Sequence, residues 1–566
     1  MGDVGEALFC FAENAKISQE NSNGQKGHMC SDCYAPFDQL STPMPLQFAD
    51  RQTFAPRAAQ RLLALVPALM LGAAGLAGAA ELSVADAEHH AQATYREYFE
   101  LLSLPNDAIV PEDVRKNVDW LEQAFRKRGF TTKQLANNGK PMLYAELPNP
   151  DAARKTVLFY MHLDGQPVIP TQWAQKSPWT PVLKRKTAQG SWEEIDSAQL
   201  FSGPLDPEWR VFGRSSADDK GPIMMMLAAI DALKAGGNQP AVNVKVILDS
   251  EEEKGSPSIS KVMQANRELL RTDAIVIHDG PMHASNLPTL IFGNRGVAEA
   301  RLTVYGGKVP LHSGHYGNYA RNPAQQMASL LASMKNDQGR VTVPGYYDHV
   351  KISEADRKIM AAVPDDEAAL NKRLGIAHAD KVGANYQEAM QYPSLNVRGM
   401  ASAAIGDKVA NIVPDKAVAE MDLRTTPDSS AAYLGKQIEQ YIVRQGYHLV
   451  KDAPTDEERS RYDKLASFSY QSEGADAAGS PIDSAVGKWA YQSLTDSFGT
   501  SPAPVRIRMM GGTVPTAEIV GVLQVPFAII PLVNADNNQH AANENLRMGN
   551  YVSGVRTIYS LLTHPL

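Results

Sequence analysis

The sequence predicts an α/β fold with a largely parallel central sheet, interrupted by an inserted α+β unit. Between Met142 and His278, short apolar runs of strand length alternate with helical patterns, the order that builds a parallel sheet. At Asn294-Arg295-Gly296 the character changes, and after about Gly474 the helix-and-strand pattern resumes, so the C-terminal segment completes the first domain.

Apolar residues recur at helical spacing from about Ala85 to Leu102 and from Glu112 to Arg128, where Val114, Val118, Leu121 and Phe125 form one stripe. Met142–Leu147 and Val157–Met161 read as strands. The polar stretch Thr187–Glu208, with Gly and Pro and no periodicity, reads as a surface loop. A helix from about Gly221, a strand Val242–Leu248, another helix and a strand Ala274–His278 follow. Val297–Val304 opens the insert, which runs strand, helix (about Pro323–Met334), loop, strand, helix (Ser429–Arg444), strand. A helix Asp483–Phe498 and a strand Val525–Ile530 close the chain, and no internal repeat is found.

The 566 residues are 43% hydrophobic and 21% charged, which excludes disorder and collagen and allows more than one domain. Lys+Arg 55 against Asp+Glu 63 gives a net charge of -8 with no basic stripe, which argues against a nucleic-acid partner. The 3 cysteines are Cys10, Cys30 and Cys33, so nothing after residue 33 can form a disulfide. Cys30-Ser31-Asp32-Cys33 is a single CxxC pair, weak evidence for zinc or redox chemistry.

Arg61 to Glu81 reads RLLALVPALMLGAAGLAGAAE, an apolar run preceded by Arg51 and Arg57 and closed by Ala77-Gly78-Ala79-Ala80. This is a secretory signal layout, and counting from Met44 puts its basic, apolar and A-x-A parts at ordinary spacing. We expect residues 1–80 to be a leader, with cleavage near Ala79/Ala80 and a periplasmic or secreted mature protein. An uncleaved anchor is the alternative, against which Pro67 and the Gly/Ala-rich end weigh. No later segment approaches about 18 consecutive apolar residues, so no stable membrane insertion is expected of the mature form.

The chemistry is concentrated at strand ends. His162 and Asp164 follow Val157–Met161; Asp218 and Asp219 lie just before the helix at Gly221; Glu251, Glu252 and Glu253 follow Val242–Leu248; Asp279 follows Ala274–His278; His540 follows the last strand. In an open α/β sheet the ligand crevice lies at the carboxyl ends of the strands, so separate segments deliver N and O ligands to one edge. Singly, an Asp-Asp-Lys is ordinarily a solvated turn, three glutamates a charged face, and a strand-terminal His a satisfied core residue. Their joint placement argues against coincidence. Carboxylates and imidazoles without cysteine suit zinc or another divalent first-row metal.

These residues resemble the co-catalytic di-zinc peptidase and deacylase family, which includes carnosinase-type dipeptidases, carboxypeptidase G, acetylornithine deacetylase and succinyl-diaminopimelate desuccinylase. The similarity covers about residues 90–566. It rests on His162-Leu163-Asp164, on Gly213 to Gly221 with Ser215 where Gly is usual, on Glu252-Glu253-Lys254-Gly255-Ser256, on His312-Ser313-Gly314, on Gly511-Gly512-Thr513-Val514-Pro515 with Thr for Ser, and on His540 followed by Asn543-Glu544. Asp218-Asp219-Lys220-Gly221-Pro222 looks closer to the carnosinase and dipeptidase branch than to the desuccinylases.

The resemblance implies a phosphorylase/hydrolase-like catalytic domain, residues 81–296 with 475–566, and a ferredoxin-like α+β lid and dimerisation domain, residues 297–474. It implies two divalent ions per subunit, zinc foremost with manganese or cobalt as alternatives, one held by His162, Asp218 and Asp279, the other by Asp218, Glu253 and His540. Asp218 would bridge. Asp164 would orient His162 and fix its tautomer, and Glu252 would be the general base, with Glu251 the competing register. Two ions sharing a water lower its pKa from about 15.7 towards 7. His312 would stabilise the oxyanion from the other subunit of a homodimer. Arg424 matches a position that binds the substrate's carboxylate, an apt task for a bidentate guanidinium, and Asn411 and Thr513 occupy substrate-contacting positions. The implied reaction is hydrolysis of a dipeptide or C-terminal peptide bond. The alternatives are N-acyl amino acid deacylation and a metal-free binding module of the same fold.

Overall fold

The central sheet has eight strands, in spatial order Thr131–Leu135, Met142–Leu147, Asn243–Asp249, Thr156–His162, Ala274–Ile277, Phe527–Ile529, Thr289–Ile291 and Val505–Ile507. This is a computed structural model that describes residues 81–149, 151–472 and 476–566. The expected leader lies outside the described residues. The four middle strands, Asn243–Asp249 to Phe527–Ile529, run parallel to one another, while Met142–Leu147 on one side and Thr289–Ile291 on the other pair with them antiparallel. Val157 to Met161 form a continuous buried run because both sheet faces are covered.

One face is covered by Val84–Leu102, Lys220–Ala235 and Met548–Thr563, which pack on one another. Lys220–Ala235 is apolar all round and buried for most of its length, as expected of a helix enclosed by a sheet and two others. The Ser83 hydroxyl caps the first of them by accepting from Asp86 N at 3.1 Å. On the opposite face, Ile259 and Val262 join Ile519, Tyr160 and Ile275 in a second apolar layer. Among the described residues, no helix is long and apolar enough to cross a membrane.

The expectation of a loop over Thr187–Glu208 needs correction. Trp192–Ile195 pairs with Val182–Lys186 in a hairpin of a separate four-stranded sheet, and Ala198–Ser202 is a short helix. The hairpin's outer strand has no buried residue, so it carries no apolar alternation for a sequence reading to find.

The insert begins and ends at a two-stranded ribbon in which Gly293 pairs with Gly479 and Asn294 with Ala478. Its sheet runs Ser394–Ala401, Lys416–Thr425, Gly296–Tyr305, Leu465–Tyr470 and His448–Leu449. With the helices Pro323–Ser333 and Ala431–Arg444 packed on the sheet, the four longer strands follow the β-α-β-β-α-β order of ferredoxin-like folds. Lys416–Thr425 alternates buried and partly exposed residues, as a sheet covered on one face must. Between helix and sheet, the stretch from Tyr346 to Pro393 is a strap with three short helices that reaches back to the catalytic domain. There His283 Nε2 lies 3.0 Å from Asp365 Oδ1, and Arg508 pairs with Asp356 at 3.4 Å and donates to Gln391 at 2.6 Å.

Candidate active site

Parallel strands that end together bring their following residues together. His162 is the last residue of its strand, Asp249 ends the next strand and leads into the Glu251–Glu253 turn, and Asp279 follows the third. Two groups of ligand atoms converge there: His162, Asp218 and Asp279, and Asp218, Glu253 and His540, each within 4.8 Å. Asp218 belongs to both. Its Oδ1 lies 2.8 Å from His162 Nε2, and its Oδ2 lies 3.2 Å from His540 Nε2, which is also 3.2 Å from Glu253 Oε2. One carboxylate thus presents each oxygen to a different cluster, the arrangement of a bridging ligand.

The donor set fits divalent cations. His162 Nδ1 lies 3.2 Å from the Asp164 backbone carbonyl, which can only accept, so Nδ1 carries a proton and Nε2 is left facing the Asp218 carboxylate; with the ring neutral, as a metal ligand must be, that contact sets two acceptors against each other. Two acceptors at 2.8 Å require a cation or a second proton between them. Asp279 Oδ2 is buried with no hydrogen-bond partner. Burial and then mutual repulsion push the carboxyls up: Asp279 to about 6, Glu253 to about 8, and Glu252 well above its ordinary range, the last by burial and the charge of Asp279. These acids sit where a cation would neutralise them.

The three glutamates make different contacts. Glu251 is buried in an ion pair with Lys140 and accepts from Asn137 Nδ2 at 2.9 Å, away from the clusters. Glu252 and Glu253 follow in a short helical turn; Glu253 accepts from Gln166 Nε2 at 2.6 Å. Asp164 lies between the His162 ring and this turn. Its carboxylate accepts from Glu252 N at 3.0 Å and Glu253 N at 3.1 Å, whereas its Oδ1 is 3.5 Å from His162 Nδ1 and its backbone carbonyl orients that ring. A carboxylate with two backbone donors on offer takes them before a longer contact to the ring.

The remaining residues fall in two places. Arg424 lies on the insert's Lys416–Thr425 strand opposite Val297 and Ser394, with no carboxylate within 4.0 Å among the described residues. Buried Arg295 is its neighbour: desolvation and then the charge of Arg424 hold Arg295 down at about 10, and its Nε has no partner. Thr513 Oγ1 donates to the Arg295 carbonyl at 2.8 Å, tying the Gly511-Gly512 turn to this pair. His312 and Asn411 sit together in a separate ribbon of the insert, where Ser313 N donates to the Asn411 carbonyl at 2.9 Å. Both are exposed. The His312 ring accepts from Gly314 N at 3.1 Å and packs on His315, so within one chain its contacts are local to the lid.

Ser215 adopts φ 62, a left-handed conformation that favours Gly. Its hydroxyl lies 3.1 Å from Asn106 Nδ2, a contact Gly could not make. Sequence reading set Asp219 beside Asp218 without a role; its carboxylate accepts from His162 N at 3.1 Å. It missed Arg295, the neighbour of Arg424, which no ligand pattern marks.

A mixed α/β core whose strand ends deliver two His-carboxylate clusters sharing one aspartate defines a metal-dependent hydrolase. Residues 158–564 match the model of peptidase family M20/M25/M40. Cys-Gly metallodipeptidase dug1 of Schizosaccharomyces pombe is 24% identical over 479 residues, 82% of this chain and 93% of that protein. Beta-Ala-His dipeptidase of Mus musculus is 25% identical over 427 residues, 73% of this chain and 77% of that protein. The crystal structure of Sso-CP2, an M20 family metallo-carboxypeptidase from Sulfolobus solfataricus, superposes with a TM-score of 0.62 at 23% identity, covering 83% of this chain and 98% of that one. The chain belongs to peptidase family M20/M25/M40 and is a metallopeptidase.

Proposed function

We propose that this enzyme cleaves the peptide bond of a dipeptide, or of a C-terminal residue, next to a free carboxylate. The observation that carries the reading is the shared Asp218, one oxygen to each His-carboxylate cluster. The dipeptidase names of relatives that align over most of the chain support it. His162, Asp218 and Asp279 would hold one divalent ion and Asp218, Glu253 and His540 the other, with zinc the first choice and manganese or cobalt alternatives. Bound there, two such ions supply an acidified water and polarise the scissile carbonyl.

The chain's own groups do the rest. Glu252, whose neighbours are Asp279, Asp218 and Glu253, accepts a proton from the attacking water and returns it to the leaving amine. Arg424 binds the substrate carboxylate, and Arg295 adds positive charge beside it. His312 of a second copy completes the site at the developing oxyanion, a reading supported by its exposure on the lid and its lack of an in-chain task. The homodimer follows from that reading. Export to the periplasm or medium is supported by the Met44–Ala80 signal layout and by a chain free of cysteine beyond Cys33.

The test is a substrate panel. Free dipeptides are expected to be cleaved faster than N-acyl amino acids; the opposite ranking establishes the deacylase alternative. Arg424→Ala should lower kcat/KM for dipeptides about 10–100-fold, from the roughly 1.5–3 kcal/mol of a charged hydrogen bond. C-terminal amidation of the dipeptide should cost the wild type a similar factor and the variant little. A variant that still discriminates against the amide removes Arg424 from carboxylate binding.

A further inference from the structure

Both metal-ligand loops spring from one strand pair. Arg210–Phe212 leads directly into the turn that carries Asp218, and its antiparallel partner Asn545–Arg547 is entered from the loop that carries His540. Glu544 stands at this junction, completely buried. Its backbone carbonyl accepts from Gly213 N at 3.1 Å. Its carboxylate accepts four hydrogen bonds: from Arg214 Nη1 at 2.7 Å, Ser215 N at 2.9 Å, Ala217 N at 2.9 Å and Asp218 N at 3.0 Å. The last donor is the amide of the shared aspartate itself. On the other side, Asn545 N and Nδ2 donate to the Asn537 carbonyl at 2.7 and 3.2 Å, closing the His540 loop from behind.

We propose that Glu544 is the positioning residue of the metal centre, locking the Asp218 turn to the His540 loop so that both ions bind only when the two are held in register. Every partner of the carboxylate is a donor, so it serves as an anionic template around which the turn is wound. An amide in its place would turn an NH2 towards those donors and lose half the acceptor capacity. Because Asp218 serves both clusters, a displaced turn weakens both sites together. A role confined to the His540 loop would weaken only the site of Glu253 and His540.

The inference rests on the metallopeptidase reading of this site, but its test needs no substrate. Zinc affinity of the whole metal-free chain is measured by competition with a chromophoric chelator, and the visible spectrum of the cobalt-loaded protein is recorded. Glu544→Gln is expected to weaken both ions about 10–100-fold and to alter both cobalt spectra. Glu544→Asp, which keeps the charge on a shorter stem, should fall between it and the wild type. Thermal unfolding of each metal-free variant separates positioning from general destabilisation, and if Glu544→Gln does not fold, Glu544→Asp decides. Wild-type affinity at both sites, or weakening at only one, overturns the proposal. Tight binding of two zinc ions by a wild type that cleaves no peptide would defeat the functional reading and leave this one standing.

Discussion

Asp218→Asn is expected to cost the enzyme both metal ions and, with them, hydrolysis. An ordinary ligand serves one ion, and its loss leaves the other in place. Asp218 instead sends Oδ1 towards His162 and Oδ2 towards His540. Burial pushes its carboxyl up, but hydrogen bonds to His162 and then His540 outweigh this and hold it well below the usual range, which favours the anion. The amide keeps the size and loses the charge and one acceptor. Loss of a partner that merely supports a ligand costs about 10–100-fold in metal affinity or activity; loss of a shared ligand should exceed this at both sites. Metal analysis after dialysis, alongside hydrolysis, checks it. Retention of one full equivalent of metal would mean that Asp218 does not bridge.

Glu252→Ala should behave in the opposite way, keeping its metal while losing catalysis. Glu252 lies outside both convergent ligand groups, so its removal leaves each with its three members. It also relieves negative charge beside Asp279, Asp218 and Glu253. General acid-base catalysis contributes typically 10²–10⁴ in rate, which sets the expected drop in kcat at about that size. Unchanged hydrolysis would take Glu252 out of the mechanism and return the register of the three glutamates to question. The pairing of Glu251 with Lys140 and Asn137 makes that outcome hard to reconcile with the geometry.

Much of this centre was legible before any coordinates because ligands that follow buried strands are announced by the strands. Val157–Met161 and Ala274–Ile277 are continuous apolar runs, and the acid or histidine that ends each stands out against them. The core helices were equally plain, since Val114, Val118, Leu121 and Phe125 repeat at helical spacing and all are buried. What escaped was structure without an apolar signature. The Val182–Ile195 hairpin is exposed on its outer strand, and the strap from Tyr346 to Pro393 holds the catalytic domain through polar contacts such as His283 with Asp365. The role of Glu544 was hidden for another reason. Its carboxylate accepts backbone amides, and no residue pattern distinguishes such an acid from a metal ligand or a surface charge until the fold brings the amides to it.

The reading as a whole stands on two ions that share one aspartate and serve peptide hydrolysis. Its most direct test is the metal content and dipeptide hydrolysis of one preparation of the whole chain, measured before chelation, after it, and after zinc is restored. Two divalent ions per chain, loss of hydrolysis on stripping and its return with zinc, manganese or cobalt are expected from the two ligand groups. Undiminished hydrolysis by the metal-stripped protein would contradict it.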